Sequence, residues 1–207
     1  MLKTTIIIIT VLLNLYASGD KSVGVVTKTV NFVEIKNGDK WIALQTGKLI
    51  YPEDEIRTGV KSLALLKLSD NTMLTVRENS SLTFANISGS TQIQIAAGTV
   101  NFDGSKSESD GFKISTPTIT ASVRGFTGQV IITPNSVKLV SESGSVTIEN
   151  PREIPLTQLL PGNYAELDDS LHVKVHVITP ELKKFMNQNK RVDLQIRLKE
   201  MIKLKKE

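Results

Sequence analysis

The sequence predicts an all-β fold. Many short strands form a sandwich, a roll or a solenoid-like domain, and an α-helical segment follows at the C-terminus. Three observations predict it. Aliphatic and β-branched residues alternate with polar ones, as in Gln92, Ile93, Gln94, Ile95, which is the period of a strand with one buried face. Turn-forming pairs such as Asn37-Gly38, Asp70-Asn71 and Pro161-Gly162 punctuate these runs. They divide the chain into about a dozen short strands at roughly 12-residue spacing. No apolar period of 3.6 residues occurs before Thr179.

Residues 1–19 read as a secretory signal. Lys3 supplies the positive end, Ile6 to Leu15 the apolar run, and Ala17 and Gly19 the small residues ahead of a cleavage site before Asp20. The run is about half the ~20 residues that a membrane-spanning helix needs. The mature protein is therefore expected to begin near Asp20 and to lie outside the cytoplasm, periplasmic or secreted. There is no cysteine in the 207 residues. Disulfides, thiol catalysis, thiolate metal sites and a lipid-modified cysteine are excluded.

Residues 20–178 hold the β region. Val23 to Ile35 reads as a strand because its valines and threonines suit a pleated surface. Asn37-Gly38 suits a tight hairpin, and Trp41 to Leu44 returns from it. The single Trp41 is expected in the core or at its lip. Pro52 cannot donate to a ladder, so Gly47 to Gly59 reads as an edge or connection, with Arg57, Thr58 and Gly59 in a turn. Leu63 to Leu68 and Met73 to Val76 form a central hairpin around Asp70-Asn71. Ile93 and Ile95 make one strand, with Val100 and Phe102 continuing the pattern before the polar loop Gly104 to Gly111. Phe112 and Ile114 follow, then Ile119 to Val123. Arg124-Gly125 reads as a break before Val130. Val137 with Leu139, and Val146 with Ile148, read as two short strands. Pro151 to Pro161 reads as a connection, and Tyr164 to Leu167 and Leu171 to Ile178 complete the set. Glycine precedes an apolar strand residue by two at Gly47, Gly98, Gly144 and Gly162, each expected to turn the chain into a new strand.

Residues 179–207 change grammar. Thr179 suits a cap, Pro180 the first helical position, and Glu181 the positive end of the dipole. Leu182, Phe185, Met186, Leu194, Leu198, Met201 and Ile202 form an apolar stripe, read as one kinked helix or two in series. From Glu181 onward there are nine Lys/Arg against four Asp/Glu, so the tail exceeds the +4 of the whole chain and the β region is near neutral. A near-neutral β surface argues against nucleic-acid binding. The tail has three readings: a cover over an edge of the β domain, a protein-docking helix, or a helix on an anionic membrane.

In order, Asp54 to Gly59, Ser62 to Leu68, Asp70 to Leu74, Ala97 to Val100, Phe112 to Pro117, Ala121 to Gly125, Ser143 to Val146 and Pro161-Gly162 resemble the FecR domain, a β-rich extracytoplasmic module of bacteria. The resemblance covers roughly Glu55 to Leu167. One departure stands out: that family usually has Thr directly after its Arg-Gly pair, and here Phe126 intervenes before Thr127. The best-known relatives relay a ligand signal from an outer-membrane receptor to a cytoplasmic sigma factor. They do so through a helical domain and a membrane helix ahead of the β domain. Only five residues precede the apolar run here, so that activity is not expected. What the resemblance implies is a binding or scaffold module, not an enzyme.

The residues agree with that implication. His172 and His176 share a strand face with Lys174 between them, a poor start for a metal site, and no cofactor is expected. Glu53, Asp54, Glu55, Asp168 and Asp169 stand at turns, where carboxylates are common. They are the only basis for a glycan-active enzyme, an alternative kept beside a signalling relay through a separate membrane protein. No nucleophile elbow, phosphate loop or dinucleotide fingerprint is present. The residues singled out for contact with an envelope protein or glycan are Arg124, Phe126, Lys199, Lys203 and Lys205. For Arg57 and Arg124 the competing role is structural, since five donors suit the closing of loops.

Overall fold

The computed structural model describes residues 21–87, 90–108, 111–168, 172–181 and 183–184. The β region is fifteen strands. They are β1 (Gly24–Val30), β2 (Val33–Asn37), β3 (Lys40–Ala43), β4 (Leu49–Ile50), β5 (Glu55–Thr58), β6 (Leu63–Leu68), β7 (Met73–Val76) and β8 (Ser81–Ile87). They continue as β9 (Ser90–Asp103), β10 (Phe112–Ser115), β11 (Thr120–Thr133), β12 (Ser136–Glu149), β13 (Pro155–Leu159), β14 (Asn163–Asp168) and β15 (Val173–Val177). All join one open mixed sheet, in which β9–β10 is the parallel pair.

This sheet folds over into two layers because β9, β11 and β12, at 14 residues each, bend midway. Layer one runs β4-β1-β6-β7, then the second halves of β9 and β11, the first half of β12, then β14-β15. Layer two runs β3-β2-β5-β8, then the first halves of β9 with β10 and β11, the second half of β12, then β13. The inward faces meet in one apolar cluster. Leu66, Leu74, Val100, Val130 and Leu139 come from layer one, and Ile56, Leu82, Ile95, Ile114 and Val146 from layer two. Phe102 of layer one stacks on Phe112 of layer two at 5.7 Å between ring centroids. The expected all-β class is thus seen among the described residues as one open mixed sheet.

The chain changes layer ten times, and each crossing contains a residue with positive φ: Asn31, Gly47, Glu53, Lys61, Asn79, Gly98, Gly111, Gly125, Gly144 and Gly162. Left-handed backbone reverses the path where a strand conformation cannot, and a strand that switches layers needs such a bend. The four glycines expected to open new strands all take φ between 84° and 92°. Gly98 and Gly144 do so inside β9 and β12, where they bend one strand instead of separating two.

Several expectations are corrected by this rule. Val23 to Ile35 is two strands, since Asn31 at φ 58° kinks the chain and anchors its side-chain amide on the carbonyl of Lys61. Arg57 and Thr58 lie in β5, not in a turn; the turn is displaced to Val60 and Lys61, with Lys61 at φ 53°. Arg124-Gly125 and the gap between Leu139 and Val146 are bends within β11 and β12. The expected connection Pro151 to Pro161 contains β13. The central hairpin stands as read, with Ala64 opposite Val76, Leu66 opposite Leu74, and Asn71 at φ 69° in its turn.

After β15 the chain enters a helical turn at Pro180, and the Lys183 N–H donates to the Thr179 carbonyl at 2.9 Å. The rest of the expected tail helix, with Lys199, Lys203 and Lys205, lies outside the described residues, as does the expected signal segment at residues 1–19. Among the described residues no helix is long and apolar enough to cross a membrane.

Candidate functional site

The first polar constellation is the Asp54 to Gly59 segment, and its side chains are spent on the fold. The Asp54 carboxylate accepts from the Tyr51 N–H at 2.8 Å, while its backbone carbonyl accepts from the Phe84 N–H at 3.2 Å. Arg57 donates through Nε to Glu34 Oε2 at 2.6 Å and lies 4.0 Å over the Trp41 ring. Glu34 and Arg57 face each other across β2 and β5, and Trp41 follows on β3, so three strands are tied across one surface. The arginine pairs with Glu34 and not with Asp54. Trp41 is half-buried, with the guanidinium over one face of its ring.

The second constellation is the corner where β11 crosses layers. Arg124 sits opposite Ser145 and Thr127 opposite Ser143, so Gly125 and Phe126 together face the single residue Gly144. That is a β-bulge. A second shift follows at once, since Gly128 sits opposite Ser141 and Glu142 is passed over. A Cβ on Gly144 would lie 2.5 Å from the Gly125 carbonyl and one on Gly104 would lie 2.6 Å from the Phe126 carbonyl, so the strands approach at backbone distance. The bulge turns neighbouring side chains to opposite sides. Arg124 is exposed. Phe126 is fully buried, with its ring 5.6 Å from that of Phe102. The expectation that Phe126 contacts a partner is thereby corrected: the residue that intervenes between Arg-Gly and Thr127 is the bulged residue, and it fills the core. Of the five singled-out residues, Arg124 alone is described and exposed.

The histidines are not brought together as a site. His172 lies 3.9 Å from Asp168 and His176 stacks on Tyr164 at 5.0 Å between ring centroids. Among the described residues no three His, Cys, Asp or Glu cluster as metal ligands. Lys113 and Glu153 form a surface pair at 2.6 Å, and the hydrogen bond to Glu153 raises the lysine pKa above its ordinary 10.5. A groove of about 470 Å³ runs beside β3 and is bordered by Ile35, Ile42, Leu44, Gln45, Thr46 and Lys48. It has no carboxylate, so the acid pair needed for glycosidic chemistry is not assembled there. Asp169, one of the turn carboxylates, lies outside the described residues.

With this geometry in place, residues 54–147 match the family model described as FecR protein. No curated protein matches the chain. Among solved structures, the fold is similar to a 1.65 Å crystal structure of a protein from Parabacteroides distasonis, described as a candidate anti-sigma factor. The TM-score is 0.51 and the identity 16%. The match covers 59% of this chain and 59% of that one. A 2.50 Å crystal structure with the same description matches at 16% identity and a TM-score of 0.49, with the same coverage.

Proposed function

We propose, from the match of residues 54–147 to the family model described as FecR protein, that the protein is a non-enzymatic binding or scaffold module that works outside the cytoplasm. The observation that carries this reading is the family match. It spans the segments that build both layers and the corner presenting Arg124. The geometry supports it, because Asp54, Arg57 and Glu34 serve as ties between strands and not as groups facing a cleft. The partner is an envelope protein or glycan, and the export-signal pattern of residues 1–19 supports the location. Affinity capture from envelope fractions, with Arg124→Glu as comparison, tests the reading. It predicts a discrete partner that the substitution weakens, and finding no partner of either class contradicts it.

A second reading is a relay that passes a signal through a separate membrane protein. It is favoured by the fold likeness to a protein described as a candidate anti-sigma factor. Deleting the gene and measuring transcripts under envelope or iron stress tests it, and an unchanged transcript profile removes it.

A further inference from the structure

β15 ends layer one with one side open. Among the described residues its strand partner is β14 alone. The Ile178 N–H donates to the Gly162 carbonyl at 2.9 Å. Hydrogen-bonded pairs alternate along an antiparallel ladder, so Tyr164–His176 and Glu166–Lys174 are the next two. The backbone N–H and C=O groups of Val173, Val175 and Val177 therefore point to the open side. Native folds blunt such edges. Elsewhere in the sheet this is visible, since β4 is two residues long and β13 starts on Pro155. β15 has five residues and no proline.

The two faces of β15 differ in kind. Val173 pairs with Leu167 and Val175 with Ala165, both fully buried, so the valines continue the apolar rows of the core. Val175 is 47% exposed and Val177 74%, because the edge leaves their far sides open. Leu160, 64% exposed, extends this patch, since its carbonyl accepts from the N–H of Asn163, the partner of Val177. On the other face His172, Lys174 and His176 are exposed. One row there alternates in charge from strand to strand: Lys138 of β12, Glu166 of β14, Lys174 of β15, with Lys138 Nζ 3.7 Å from Glu166. The next position in that row favours a carboxylate.

We propose that β15 accepts an added strand from another protein, an extended segment in which apolar residues alternate with carboxylates. Its main chain bonds the open groups of Val173, Val175 and Val177. Its apolar side chains lie on Val175, Val177 and Leu160, and its carboxylates stand beside Lys174. Charge selects this occupant over a second copy of the chain. β15 carries no carboxylate, so another β15 would bring lysine or histidine to Lys174. Like charges facing each other across a ladder are destabilising, and an edge lysine is a common guard against self-pairing. The surface does not use Arg124, so the two can be tested apart.

The test titrates the full chain with a synthetic peptide of alternating valine and glutamate, about nine residues long, and follows backbone amide resonances. The expected result is saturable shifts at the amides of Val173, Val175 and Val177. The same peptide with lysine in place of glutamate should bind on the order of tenfold more weakly. Val175→Pro removes a donor on the open side and leaves the bonds to β14 in place, so it should abolish binding. Lys174→Glu should reverse the preference between the two peptides, which keeps the test valid if the proline variant does not fold. Arg124→Glu should leave peptide binding unchanged. No saturable shift, equal affinity for the two peptides, or binding that survives Val175→Pro overturns the proposal. Shifts at these amides that grow with protein concentration assign the edge to a second copy, and shifts with anionic lipid vesicles in place of the peptide assign it to a membrane. Either also overturns it.

Discussion

At residue scale the bulge at the β11 corner decides what each side chain does. Arg124 and Phe126 are two positions apart, and in a regular strand they would share a face. The bulge breaks that parity, leaving Arg124 in water and Phe126 in the core. Truncating Phe126→Ala should therefore cost about 3–5 kcal/mol in urea unfolding. Arg124→Glu should change stability by less than about 1 kcal/mol, and its effect should appear in partner capture. The Lys113–Glu153 pair sets a pH dependence. A raised lysine pKa gives stability that is complete below the ordinary 10.5 and lost as pH rises past it toward the folded value. The small stability gap between the native chain and Glu153→Gln should therefore narrow when unfolding is measured above pH 10.5. The residue types at the candidate site were legible in the sequence, including the Phe insertion itself. Its direction was not, because a bulge is defined by the count of residues on the opposite strand, which no local pattern carries.

At element scale the layer crossings explain both what the sequence showed and what it hid. Asp70-Asn71 is a turn within a layer, as its local chemistry indicates, and the first hairpin turns at Gly38-Asp39, one residue past the expected Asn37-Gly38, because Asn37 pairs with Lys40 in β2. Gly98 and Gly144 carry the same local signal, yet each lies inside a 14-residue strand. A bend and a loop both need positive φ, and only the pairing on either side distinguishes them. The β5 strand was missed because Pro52 and the acidic run ahead of it resemble a loop, while Ile56 and Thr58 are buried against β2 and β8. Gly98→Ala and Gly125→Ala separate the two costs of a crossing. A Cβ at Gly98 meets Ser80 Oγ at 2.2 Å and its Cα at 2.5 Å, with φ at +87°. One at Gly125 meets nothing within 4 Å, with φ at +58°. Gly125→Ala should cost about 1–2 kcal/mol from left-handed backbone alone. Gly98→Ala should cost clearly more, read from paired urea unfolding curves.

At the scale of the whole molecule the two layers share one core and three strands, so neither can melt alone. Heating should give a single transition, with tryptophan fluorescence from Trp41 in layer two coinciding with far-ultraviolet circular dichroism. The all-β class and the FecR resemblance were legible because alternation and turn residues are local. The folding of one sheet into two layers was not, since it depends on pairings far apart in sequence. The proposed function joins these scales: a two-layer module that would hold the exposed Arg124 corner for a partner outside the cytoplasm. Site-specific photo-cross-linking in living cells tests it most directly. A cross-linker replacing Arg124, with one replacing Lys36 on layer two as comparison, should give a discrete adduct in the envelope fraction from position 124 alone. No adduct from position 124, or a protein recovered from the cytosol with Met1 intact, would contradict it.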